Sequence, residues 1–284
     1  MIATYLWVPF TLLAATAQVF RNALQSGLTK EIGTLGATQV RFVYGLPFAL
    51  LFLGVFIALS GEAVPVPGWE SLAWILFGAT CQIGATALML QVMARRDFGV
   101  AYAYIKTEPV TVALLALALI GDRLSALGWL AVIVVTVGVV LSSLRPGDGA
   151  AQMAEVKPVV VGVASGAMFG LSSIAFRGGI DAMPEGSFMM RSLSMLALSL
   201  VLQSSMLLGW FALRGAAPLR DSLKHWRMSL SAGALGALAS AGWFIAFSLT
   251  LVANVRTLGL IEMPTFAPAS RIAAIQRSIS SVAS

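Results

Sequence analysis

The chain has 284 residues, of which 58% are hydrophobic and 11% charged, and a formal net charge of +6. Roughly a quarter of the residues in a soluble domain are charged, so this composition, with a mean hydropathy of +0.90, excludes an ordinary soluble fold and requires a bilayer as solvent. The basic excess is scattered through the polar connectors with no stripe or recognition motif, so it sets lipid contact and topology and does not point to nucleic acid.

Backbone groups in hydrocarbon must be satisfied internally, so apolar runs of about 20 residues are read as helices. The first, within MIATYLWVPFTLLAATAQVF, lies near 4–24. No basic segment precedes it, so it reads as a retained helix and not a cleaved signal. A second span at 38–59 is closed by SGEAVPVPGWE, whose prolines and glycines end helices. Spans three and four follow at 70–93 and 99–120. The short turn GDRLS then leads into a fifth at 127–144, with Ser125 as its expected N-cap. RPGDGAAQMAEVK (145–157) is the longest polar connector and marks the domain boundary. Spans six to eight lie at 158–178, 187–213 and 229–252, and a ninth starts near 255 and is apolar only to about 268.

Packing signals sit on these spans. Gly162, Gly166 and Gly170 form a GxxxGxxxG ridge on the sixth, and Gly233, Ala237 and Ala241 repeat the idea on the eighth. Small residues at that spacing let a neighbouring helix approach closely. The single cysteine, Cys81, excludes an internal disulfide framework and a multi-cysteine metal site, and reads as a small packing side chain.

The two halves repeat one pattern. GATQVR (36–41) and GSFMMR (186–191) each open a second helix, Trp69 and Trp226 each open a third, and Glu108-Pro109 is matched by Glu262-Met263-Pro264. A five-helix unit followed by its duplicate enters the membrane the second time from the opposite side. The copies are then related by a pseudo-two-fold axis in the membrane plane. The expected fold is therefore all-α integral membrane: two inverted five-helix repeats in principle, here about eight full transmembrane helices plus a partial ninth. The repeats span 1–149 and 150–264, the second incomplete, and 265–284 is a basic amphipathic tail. In that tail Ile272, Ile275, Ile279 and Val282 share one stripe, as in a helix lying on a membrane surface.

Ionisable residues inside a bilayer are expensive and tend to line a cavity. By position these are Arg41, Lys106, Glu108, Arg191, Arg256 and Glu262. Arg41 and Arg191 stand near the starts of spans, where interfacial anchoring and cavity lining are both open readings. Lys106 and Glu108 point about 160° apart on a helix, so they do not pair with each other. Glu108 is the leading site residue: its carboxylate can bind an ammonium or exchange a coupling proton, and Pro109 frees a nearby carbonyl. Its bland alternative is a structural glutamate paired with Arg256 or with Lys106 of a neighbour. Glu262 is the matching position in the second half. Tyr104 lies one turn before Glu108 on the same face, where it can contact an organic ligand or simply pack.

The segments RFVYGLPFALLFL, YAYIKTEPVTVALLALALIGDRLSALGWLAVIVVTVGVVLSS and LGLIEMP resemble the EamA-type transporters of the drug/metabolite transporter superfamily. Gly121-Asp122 stands where that family has Gly-Glu, and TFAPASRIAAIQRSISSVAS replaces the counterpart of the fifth helix. The resemblance implies a ten-helix carrier without an ATPase that exports amino acids, other metabolites or drugs by alternating access, in a bacterial inner membrane. The implied partners are a small-molecule substrate, the lipid bilayer and a coupling proton, with no cofactor and no metal. The alternative is a membrane protein without transport: an inactive truncated copy, or a subunit completed in a homo- or hetero-oligomer. Loop charges place the N-terminus outside, whereas the resemblance places it inside, and both readings stand. An enzyme is not expected. His225 is the only histidine, and no GxxxxGK[ST] phosphate loop occurs.

Overall fold

Gly33 sets the course of the N-terminal region. The computed structural model of the chain describes residues 5–94, 105, 108–121, 123–143 and 156–260. Helix α1 (Trp7–Val43) passes through Gly33, whose φ of 72° and ψ of 169° break it. Gln25 Nε2 donates to the carbonyl of Ala37 at 2.8 Å. Twelve residues of straight helix would hold those residues about 18 Å apart, so the chain doubles back at Gly33. Glycine alone occupies that backbone region readily. The end expected for the first span near 24 is corrected: the helix continues to the turn at Gly33, with Arg21, Asn22 and Gln25 buried against protein.

After a break at Tyr44 and Gly45, α2 (Leu46–Ser60) ends on Gly61, whose φ is 68° and whose N–H donates to Ile57 O at 2.9 Å. Next come α3 (Trp69–Met93), α4 (described from Glu108 to Ile120) and α5 (Ala126–Ser143). Ser125 caps α5 as expected, its Oγ accepting from the Gly128 N–H at 3.1 Å. Helix α6 (Val156–Asp181) leads to α7 (Phe188–Arg214), which starts on Ser187. The Ser187 N–H donates to Glu62 Oε2 at 2.9 Å, placing a carboxylate at the positive end of the α7 dipole. A short helix not foreseen from the sequence, α8 (Ala217–Lys224), precedes α9 (Trp226–Leu249) and α10 (Val252–Gly259). The remainder of the expected ninth span, the tail 265–284, and all but two residues of the 145–157 connector lie outside the described residues.

Among the described residues the chain is all helix, with no strand. Five helical segments are long and apolar enough to cross a membrane: 7–60, which contains the reversal at Gly33, then 69–93, 157–181, 188–214 and 226–249. Leu51, Val55, Leu59, Leu76, Leu117, Leu130 and Val134 point outward, as hydrocarbon-facing side chains should. Gln18, Arg21, Gln25, Gln39 and Gln203 are buried. The distribution is apolar outside and partly polar within.

The most extensive packing joins α1 to α9 and α3 to α6; α2 also packs on α7, and α4 on α10. Glycines of both small-residue ridges meet neighbouring segments closely. A Cβ on Gly166 would fall 2.5 Å from Ile105 O, and one on Gly170 would fall 2.9 Å from Val112 Cγ2. A Cβ on Gly233 would fall 2.5 Å from the carbonyl carbon of Tyr44. Backbone cannot yield there as a flexible side-chain tip can. Gly233→Ala should therefore lower stability by about 1–3 kcal/mol through overpacking, seen as a lower thermal unfolding midpoint in detergent. Gly54→Ala, with nothing within 4 Å of its Cβ position, should leave the midpoint unchanged or raise it; equal effects at the two positions would contradict this packing.

Candidate functional site

The polar interior begins on the inward face of α1. Gln18, Arg21, Asn22 and Gln25 follow the spacing of one helical stripe, and all four are buried. Gln18 Oε1 accepts from Trp243 Nε1 of α9 at 3.0 Å. Arg21 directs Nε and Nη2 at Asn22 Oδ1, at 3.1 and 2.7 Å. Opposite, on α3, Gln82 Oε1 accepts from Gln203 Nε2 of α7 at 2.8 Å.

Glu108 and Arg256 form the charged centre. Arg256, on α10, places Nε 3.0 Å from Glu108 Oε1 at the start of the described part of α4, and the two side chains are only 7% and 5% exposed. The same Nε donates to Ser173 Oγ of α6 at 3.1 Å, and Nη2 reaches that oxygen at 2.5 Å. The N–H is aimed at the serine, so its contact with the carboxylate is an ion contact without linear hydrogen-bond geometry; Glu108 Oε1 has no hydrogen-bond partner among the described residues. The guanidinium lies over the Trp243 ring at 4.6 Å and the Phe247 ring at 5.2 Å, which adds about 0.5–2 kcal/mol of cation–π attraction. One ion pair thus ties α4, α6, α9 and α10 together.

Arg41 is the second buried cation. Its side chain leaves α1 for the interior and donates from Nη1 to Thr86 Oγ1 on α3 at 3.1 Å. The Phe42 and Phe169 rings flank it at 5.4 and 5.9 Å. Arg21 and Arg256 are near enough for their charges to act on it. Gly236 of α9 makes room for this crowding: a Cβ there would lie 3.3 Å from both Arg21 Cδ and Arg41 Cγ. At 3% exposure Arg41 points into the protein.

The remaining expected site residues are distributed differently. Arg191 is half-buried at the start of α7 and donates to Ile180 O at 3.5 Å, near the last turn of α6. No described contact joins it to Glu108, Arg41 or Arg256, so the matched Gly-x4-Arg segments do not give matched surroundings. Tyr104, Lys106 and Glu262 lie outside the described residues. Arg21, Gln18, Ser173, Gln82, Gln203 and Trp243 were missed from the sequence. For the α1 pair a signal existed: polar residues at 18, 21, 22 and 25 form a single helical face, which points inward when the opposite face is apolar.

Fold and interior together define a class: an all-helical integral membrane protein with a charged, aromatic-lined centre. Residues 5–144 match the EamA-like transporter family, as the resemblance in the sequence implied, and this is consistent with a member of the drug/metabolite transporter superfamily. A solved structure described as "Crystal structure of protein" is similar with a TM-score of 0.63 and 16% identity, covering 97% of this chain and 94% of that chain. At that identity the likeness concerns the fold alone. No curated protein matches.

Removing one partner of a buried ion pair leaves an uncompensated charge and costs about 3–5 kcal/mol, more than the pair itself contributes. Glu108→Gln and Arg256→Gln should therefore each lower the unfolding midpoint in detergent. The double variant should lose less than the two losses added together. Strict additivity would show that the two side chains do not interact.

Proposed function

We propose that the chain is a secondary transporter that exports small organic solutes by alternating access between two inverted repeats, divided near residue 150. The observation that carries this reading is the Glu108–Arg256 ion pair, buried in the interior of a protein that matches a transporter family. Buried charges are costly in a bilayer and are kept where they line a pathway.

The pattern of helix pairing supports the inverted arrangement. In each half, count the helices as first to fifth, omitting α8 and taking the reversal at Gly33 as the end of the first helix. The α1–α9 and α3–α6 contacts then join the first helix of one half to the third of the other, twice over. The α2–α7 and α4–α10 contacts pair like with like, as expected for elements beside a two-fold axis. Glu108 and Arg256 stand on that last pair, so a rocking of one half against the other bears directly on their contact. Glu108 is the one carboxylate among the described buried side chains. When released from Arg256 it is the group that takes up the coupling proton. Tyr104, Lys106 and Glu262 complete this site in the proposal.

Transport families of this kind have no catalytic step, and the chain is read as a carrier and not an enzyme. The test is efflux from proteoliposomes loaded with a mixture of amino acids, carboxylic acids and amines, followed by mass spectrometry. At least one solute should leave faster than from protein-free vesicles. Glu108→Gln should slow it roughly tenfold, equivalent to about 1.4 kcal/mol, and flatten its pH dependence. Flux and pH dependence unchanged in that variant would remove Glu108 from the mechanism; efflux no faster than without protein, for every solute, would remove the transport reading.

A further inference from the structure

We propose that Ser173 is a positioning residue for the charged centre: it holds the donor edge of Arg256 away from Glu108, so that the two charges stay in contact but can part. The inference rests on the transport reading for its purpose, while its evidence is the direction of the hydrogen bonds around one guanidinium. Nε and Nη2 make one edge of that group, and both donate to Ser173 Oγ, at 3.1 and 2.5 Å. Glu108 Oε1 stands 3.0 Å from the same Nε and has no hydrogen-bond partner among the described residues.

A free choice would run the other way. The edge of a guanidinium fits the two oxygens of a carboxylate, and such charge-assisted bonds are about twice as strong as bonds to neutral partners. Here a neutral hydroxyl takes the edge. A serine hydroxyl has one proton to donate and two lone pairs to accept with. Ser173 gives its proton to Phe169 O, one turn earlier on α6, at 2.7 Å, so its lone pairs are left for Arg256. At 1% exposure the hydroxyl is shielded from water that could take its place. The placement of the three groups gives the arrangement its use. Ser173 on α6 and Arg256 on α10 belong to the second half of the chain, and Glu108 on α4 belongs to the first. The hydrogen bonds therefore lie within one half, and an ion contact without linear N–H geometry crosses to the other. Rocking of the halves can part that contact without breaking either hydrogen bond to Ser173.

Removal of this hydroxyl should tighten the ion pair. In proteoliposomes of Ser173→Ala, with glutamate labelled at the carboxyl carbon and arginine at the guanidinium nitrogens, solid-state NMR should show the Glu108 carboxyl carbon coupled to a second nitrogen, Nη2, as well as to Nε. Flux of a solute that the wild type carries should fall about tenfold. Ser172→Ala is the control: its hydroxyl is also buried and donates to the same Phe169 O, at 2.8 Å, and no described contact joins it to Arg256. It should keep the wild-type coupling and flux. An unchanged or weaker coupling in Ser173→Ala overturns the proposal, as does a second coupling in Ser172→Ala. So does a second coupling in Ser173→Ala with flux undiminished. A Ser173→Ala protein that fails to fold, or melts below Ser172→Ala, also overturns it, since Arg256 would then have lost an acceptor that Glu108 does not replace. Flux of the wild type separates this inference from the one beneath it. No flux of any solute, with the second coupling present in Ser173→Ala, supports the role of Ser173 in the pair and removes transport. Flux in the wild type, with no second coupling in Ser173→Ala, keeps transport and overturns the role of Ser173.

Discussion

Arginine side chains deep in a membrane protein need acceptors, opposite charge or ring faces, and the helices around them must be placed to provide these. In this chain Arg256 receives all three: Glu108 from α4, Ser173 from α6, and Trp243 with Phe247 from α9. Those contacts come from elements far apart in sequence, so the ion pair acts as a long-range constraint on the fold as well as a local charge balance. Loss of either partner would leave the other in a medium that cannot hydrate it.

The close helix seams serve the same end. Glycines allow close approach where α1 meets α9 and where α6 meets α4, as in Gly242 against Ala14 and Gly170 against Val112. Van der Waals contact at short range replaces the hydrophobic effect, which offers little within lipid. Close seams also bring long side chains from several helices to a common centre, which is how Arg21 and Arg41 both come to lie against Gly236. At the periphery, Arg177 of α6 closes the end of α9 by donating to the carbonyls of Phe247 and Thr250 while paired with Asp181. A basic side chain there also complements the negative end of the helix dipole.

Much of the helix placement was legible in the sequence, because bilayer thickness imposes a length on apolar runs. The expected spans at 70–93, 158–178 and 187–213 lie within a few residues of Trp69–Met93, Val156–Asp181 and Phe188–Arg214. The first helix was misjudged for a definite physical reason. Polarity at Arg21, Asn22 and Gln25 looks like a span end when lipid is taken as the only solvent, yet those residues face other helices. The charged residues are recognisable one at a time, and Arg256 is among the partners the sequence offers Glu108. What linear sequence could not supply was the company they keep: Ser173, Trp243 and Thr86 carry no distinguishing local signal, and only packing brings them to the arginines.

Contact between Glu108 and Arg256 within a bilayer is the interaction on which the interior depends. Solid-state NMR can measure it directly, on protein in proteoliposomes with glutamate labelled at the carboxyl carbon and arginine labelled at the guanidinium nitrogens. The wild type should show a short-range carbon–nitrogen dipolar coupling that disappears from Glu108→Gln. A spectrum without that coupling, or one in which it persists undiminished in Glu108→Gln, would contradict it.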